Sequence, residues 1–213
     1  MKRRFIPVFG LVLALVSLGA SADEQSETLL TKLQHKIQAF TSYRIDFTAA
    51  MGGKGSTKGT LTASGNRFYI KLMGQELFYN GGDTLWSYVA ERNEAEVSKF
   101  NTNDPSPLYN PSKLFDINPA DYDHRTLPSA TLRGIQMQVV ELTPHRQSIE
   151  YTTLTLYINP ATSLPERIDI ALTGDEKPIV LTLDSIMSDM AVSDATFRFD
   201  PSKHPGVEIF DDF

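Results

Sequence analysis

The sequence predicts a mainly β domain, a strongly curved antiparallel sheet or barrel preceded by one helix, and three observations point to it. Apolar and polar residues alternate along many short segments, tight-turn residues separate those segments at regular spacing, and one stretch near the start keeps helical spacing instead.

The chain opens with Lys2, Arg3 and Arg4, an apolar run over 5–18 and the small-residue triplet Ala20-Ser21-Ala22. That pattern is expected of a secretory signal peptide cleaved after Ala22. The run is short for a membrane span, and Asp23 to Ser26 are polar. Residues 1–22 are therefore read as a signal peptide and 23–213 as a single mature domain, exported to a periplasm.

Among the mature residues, Leu29, Leu30, Leu33, Ile37 and Phe40 fall near one face at helical spacing, which predicts an amphipathic helix over 26–40. From Tyr43 the period becomes two: Tyr43, Ile45, Phe47, Ala49 and Met51 alternate with Arg44, Asp46, Thr48 and Ala50. A glycine-rich hairpin tip at 52–55 leads to strands over 59–63 and 67–73, the latter with Phe68, Ile70 and Leu72 on one side. Asn80-Gly81-Gly82-Asp83 is a further turn signal. Strands are expected at 84–89, 95–100, 136–143, 152–158, 166–173, 179–186 and 196–199. Prolines and asparagines interrupt this meander over 101–118, where Asn110 and Pro111 read as the cap and first residue of a short helix containing Leu114 and Phe115.

Composition excludes several chemistries. Cysteine is absent, so disulfides, thiolate nucleophiles and a lipid-modified N-terminal cysteine are excluded. Loss of the three leader cations takes the net charge from −6 to −9, a surface unsuited to nucleic acid and compatible with a soluble monomer. The four histidines, His35, His124, His145 and His204, stand at no metal-binding spacing, so no metal is expected. No nucleophile elbow, phosphate loop or dinucleotide fingerprint is present, and the glycines of 52–59 lie between strands rather than before a helix. No cofactor and no catalytic residue are assigned. A carboxylate-pair hydrolase stays open as an alternative, because acids such as Asp121, Asp123, Asp211 and Asp212 could converge on one another or on others in the fold. Asp46 and Asp169, however, alternate opposite apolar residues and are expected to face solvent. The apolar strand residues are equally compatible with an ordinary core.

Three segments, taken in order, resemble the LolA-type outer-membrane lipoprotein carriers. They are Gly59-Thr60-Leu61 followed by Asn66-Arg67-Phe68-Tyr69-Ile70; Tyr79-Asn80-Gly81-Gly82-Asp83-Thr84-Leu85-Trp86-Ser87-Tyr88; and Thr196-Phe197-Arg198-Phe199-Asp200-Pro201 leading to Pro205-Gly206-Val207-Glu208-Ile209. The resemblance implies an incomplete, strongly curved antiparallel β-barrel whose apolar concave face is covered by an N-terminal helix and a short helical insertion. It also implies a non-enzymatic carrier and chaperone that shelters the acyl chains of lipoproteins. Its implied partners are acylated lipoproteins, an inner-membrane release complex and an outer-membrane acceptor. On this reading Ile45, Phe47, Phe68, Ile70, Leu72 and Trp86 line the cavity, Trp86 on a strand that is apolar on both faces. Leu29, Leu33, Ile37, Leu114 and Phe115 belong to the lid. The family's lid-latching arginine-proline pair is replaced here by Ser64-Gly65, with Arg67 displaced toward the strand, so that latch is not carried over. A binding or sensing module for another lipid or apolar small molecule is the alternative that keeps the same container.

Overall fold

A computed structural model describes residues 23–52, 55–102, 110, 117–145 and 150–212. The leader and the expected insertion helix, with Leu114 and Phe115, lie outside the described residues. Helix α1 spans Glu24–Gln38, and Asp23 caps it by accepting a hydrogen bond from the Gln25 amide at 3.1 Å. Glu24 and Glu27 in its first turn and His35 and Lys36 in its last complement the helix dipole. Ser26, Leu29, Leu30, Leu33 and Ile37 form its buried face. Phe40, expected on the same face, follows the helix and packs against the core from the connection to the first strand.

Twelve strands form one sheet: β1 (Ser42–Met51), β2 (Ser56–Ser64), β3 (Arg67–Leu72), β4 (Gln75–Tyr79), β5 (Thr84–Val89), β6 (Glu94–Lys99), β7 (Tyr122–Leu132), β8 (Ile135–Pro144), β9 (Tyr151–Ile158), β10 (Pro165–Leu172), β11 (Ile179–Ser188) and β12 (Glu208–Asp212). Their order is β12-β6-β5-β4-β3-β2-β1-β11-β10-β9-β8-β7. Two antiparallel meanders, β1–β6 and β7–β11, are thus joined along β1 and β11, and the curled sheet stays open between β12 and β7. Two hairpins close on Met73-Gly74 and Arg133-Gly134, each with positive φ at both central residues. That geometry matches the natural twist of paired strands.

The sequence-level strand assignments are largely recovered, with particular differences. Segment 196–199, expected as a strand, begins instead within a 3-10 turn, Asp194–Phe197, because the Ser193 side chain caps the Ala195 amide at 3.3 Å and turns the chain. Strands β4, β7 and β12 were not anticipated. In β7 the inward-facing residues include His124 and Thr126, opposite Leu142 and Val140, so its alternation is invisible to hydropathy. In β4, Leu77 and Phe78 are both apolar and belong to opposite faces, which erases the period of two. The sheet is also not wholly antiparallel: β12 runs parallel to β6.

Helix α1 packs against β7 and is held there by polar contacts at its first turn. The buried His124 ring places Nδ1 2.7 Å from Ser26 Oγ and Nε2 2.9 Å from Glu27 Oε2. The Thr126 amide donates to Asp23 Oδ2 at 3.1 Å. At the other end of the helix, Asp189 at the end of β11 accepts from the Thr41 amide at 3.0 Å and from the Thr41 hydroxyl at 3.1 Å. Hydrogen bonding from Thr126 and Gln25 holds the Asp23 carboxyl below its usual range, and the bonds from Thr41 do the same for Asp189.

Two outcomes follow from these ties. His124→Ala removes both ring contacts and leaves the buried Ser26 hydroxyl one partner short, a loss of about 1–3 kcal/mol. Hydrogen exchange should then accelerate in the first turns of α1 before it does so in β1 or β11. The depressed carboxyl pKa of Asp189 means that its contribution is complete above the unfolded value of about 3.9 and disappears as pH falls through the folded value. In Asp189→Ala, the fall in thermal midpoint on acidification below about pH 4 should accordingly be shallower than in the parent. An unchanged acid slope would show that the Thr41 contacts are energetically silent.

A candidate apolar ligand-binding face

Directly opposed residues in a sheet share a face, so the strand registers define what the concave side presents. One row runs Ile45, Leu61, Ile70 and Leu77 across β1 to β4. The next runs Phe47, Gly59 and Leu72, and a third runs Tyr43, Ala63, Phe68, Tyr79 and Leu85 across β1 to β5. On the other meander, His124, Leu142, Leu154 and Ile170 continue the same side. The apolar side chains of these rows and Leu29, Leu30, Leu33 and Ile37 of α1 make one cluster.

Five of the six expected cavity residues lie on this face. Ile45, Phe47 and Phe68 are buried, Phe68 completely at 0 % exposure, whereas Ile70 and Leu72 are half-buried. Toward β4 and β5, Leu77 and Leu85 are also half-buried. Along the rows that begin at Ile45 and Phe47 the apolar surface is therefore densely packed at β1 and β2 and more accessible at β3 and β4, whereas Phe68 and Tyr79 in the third row stay buried. Leu29, Leu33 and Ile37 of the expected lid all point into the cluster from α1.

The Phe47 ring lies directly over Gly59, its register partner. A Cβ at Gly59 would overlap that ring, coming within 2.7 Å of Cε2 and 3.0 Å of Leu72 Cδ1. The absent side chain is what leaves room at Gly59 for the Phe47 ring and the Leu72 side chain together. The glycine of the Gly59-Thr60-Leu61 segment thus has a packing role that turn geometry does not supply.

Trp86 is a correction. It is paired with Phe78, which in turn is paired with Tyr69, and this row faces the opposite side of the sheet. There the indole stacks on Phe199 at 5.2 Å between ring centroids, and Phe78, Tyr88, Ala95 and Val207 complete a second cluster. The tertiary contact with Phe199, far away in sequence, selects the face that the strand's two-sided apolarity left open. Leu85, one residue earlier, takes the inward position.

Arg67 also belongs to the outer side. Its guanidinium reaches Ser64, pairs with Asp194 and lies 4.9 Å from the Phe197 ring centroid, pinning the 3-10 turn to β3. It makes no contact with α1 among the described hydrogen bonds and ion pairs. The helix is tied instead through His124 and Ser26, which are 98 residues apart, so no local sequence signal could have revealed the pair.

Polar chemistry is concentrated on the outer face: Arg167 donates to Asp169 at 2.6 Å, Tyr157 donates to Asp169 at 3.2 Å, and Arg44 pairs with Asp46 at 2.9 Å. Asp46 and Asp169 therefore serve ion pairs on the side away from the apolar cluster. Among the described residues no group of three or more histidines and acids is arranged to hold a metal ion.

No protein-family model matches the sequence, and no curated protein matches it significantly. Solved structures do resemble the fold. An uncharacterized conserved protein from Thermus thermophilus is 10% identical, with a TM-score of 0.58 over 87% of this chain and 98% of the other. A putative outer membrane lipoprotein-sorting protein domain from Vibrio parahaemolyticus is 12% identical, with a TM-score of 0.49 over 84% and 97%. A LolA superfamily protein from Nitrosomonas europaea is 14% identical, with a TM-score of 0.40 over 82% and 97%. At these identities the likeness is one of fold: the chain is an open, curled β-sheet with a helix on its apolar side, and the Thermus protein matches it over 98% of its own length.

Proposed function

We propose that this chain is a periplasmic carrier and chaperone that shelters the acyl chains of lipoproteins against its concave face and delivers them toward the outer membrane. The observation that carries the reading is the gradient along that face, from the sealed core at Ile45 and Phe68 to the half-buried Ile70, Leu72, Leu77 and Leu85. A fully sealed face has no room for a guest, and a fully exposed one would drive aggregation. Each buried methylene is worth about 0.8 kcal/mol, so an acyl chain needs an apolar container to cross water. The structural likeness to a lipoprotein-sorting domain and a LolA superfamily protein agrees with this role without carrying it. The partners on this proposal are acylated lipoproteins, an inner-membrane release complex and an outer-membrane acceptor, and the chain acts as a monomer without catalysis. Cleavage of the leader after Ala22 would leave α1 whole, since its cap is Asp23.

The test is native mass spectrometry of the mature protein purified gently from its periplasm. The parent should carry acylated polypeptide, and Phe47→Glu should carry at least tenfold less, since a carboxylate on the concave face must be desolvated by any guest. Leu72→Glu, at a half-buried position, serves where the first variant fails to fold. Free lipid in place of acylated polypeptide would make the protein a container for a different cargo. Repeated preparations with nothing apolar bound would reduce the face to plain core.

A further inference from the structure

The open sheet has two edges, and they are finished differently. On β7 the free edge is interrupted by Pro128 and by the irregularity between Leu127 and Ala130, and α1 packs beside it. These are the devices by which proteins blunt an edge against unwanted pairing. Strand β12 has neither proline nor bulge and is blunted only by its five-residue length and its acids, and it presents Ile209 at 47% exposure and Phe210 at 49%. The two side chains lie on opposite faces of the sheet, since Ile209 pairs with Ala95 and Phe210 with Glu96.

The electrostatics of this edge are one-sided. Glu208 stands directly opposite Glu94, and Phe210 directly opposite Glu96. Glu96, Glu208 and Asp211 are exposed, and no described cation pairs with any of the three. Arg92 pairs with Glu94 and Lys203 with Asp200, while Lys99 directly follows Ser98, the register partner of Asp212, and makes no described ion pair with Asp211. Arg92 already offsets Glu94 opposite Glu208, so the acids left for an added cation to meet are Glu96, Glu208 and Asp211.

From a backbone edge that no described strand pairs, the two exposed apolar side chains and the acids without a described ion pair, we infer that β12 is a docking edge for an extended, basic and apolar segment of another protein, which adds as a further strand beside it. Main-chain hydrogen bonds supply affinity in such an arrangement, and alternate side chains supply selectivity. A second copy of this chain does not fit, because pairing β12 with β12 would juxtapose the same acids. An anionic membrane is repelled for the same reason. This edge lies outside the apolar concave cluster and does not depend on what that cluster binds.

The experiment is fluorescence anisotropy of the full mature chain with a labelled decapeptide alternating lysine and valine. Saturable binding is expected, weakened about tenfold or more in the Glu208→Lys, Asp211→Lys double variant and in Phe210→Ser. Two further decapeptides carry N-methyl groups on alternate amides, one in each phase. One of them should lose binding, because its methyl groups occupy the ladder with β12, and this comparison needs no protein variant. Absence of saturable binding overturns the inference. So does equal binding of both methylated peptides, which would reduce the edge to simple charge attraction, and so does concentration-dependent dimerisation of the parent through β12.

Discussion

The pairing of β1 with β11 is the constraint on which the rest of the fold depends. Among the described residues it is the only junction between the meanders β1–β6 and β7–β11 in the sheet order, and it joins residues more than a hundred positions apart. A slip of one residue in this register would send every side chain of one meander to the wrong face. The bulge between Asp46 and Phe47 shows how finely the phase is set: Ile45 pairs with Ile186 and Phe47 with Leu183, so both meanders present apolar residues to the same side despite the extra residue. The cost of closing so long a loop is recovered only when both halves curl around a common apolar face.

That common face explains the arrangement of the helix. Its apolar stripe covers the concave side with Leu29, Leu30, Leu33 and Ile37, but hydrophobic burial is non-directional and does not fix where the helix starts. Direction comes from a few polar contacts, His124 to Ser26 and Glu27 at one end and Asp189 to Thr41 just beyond the other. A lid held by packing alone could slide, whereas one pinned at both ends can yield only by breaking identifiable bonds. On the proposed carrier function, a few breakable bonds are easier to reverse than a continuous core when an apolar guest is admitted and released.

The outer side of the sheet is organised on different terms. Ion pairs such as Arg167 with Asp169 and Arg44 with Asp46 cover much of it, and the aromatic group of Trp86, Phe78, Tyr88 and Phe199 holds the C-terminal segment against β4–β6. His204 stacks on Phe199 at 5.0 Å and leads the chain around into β12. The position of the last strand thus rests on aromatic contacts made before it, which is how a short, acidic strand can pair parallel with another acidic one.

Sequence by itself determined the elements whose two faces differ in polarity. The alternation from Tyr43 to Met51 and the helical spacing from Leu29 to Ile37 reflect burial on one side and water on the other, and both were legible. The packed face of five of the six expected cavity residues followed from the same phase. Tertiary structure alone decided the side of Trp86, because Thr84–Val89 is apolar on both faces and only contact with Phe199 breaks the tie. It alone decided β7, whose inward residues include the polar His124 and Thr126, and the tie between His124 and Ser26, which depends on two residues meeting across the fold. Local pattern records how a residue meets solvent; which distant residue it meets is set by the register of a sheet that exists only once the chain has closed.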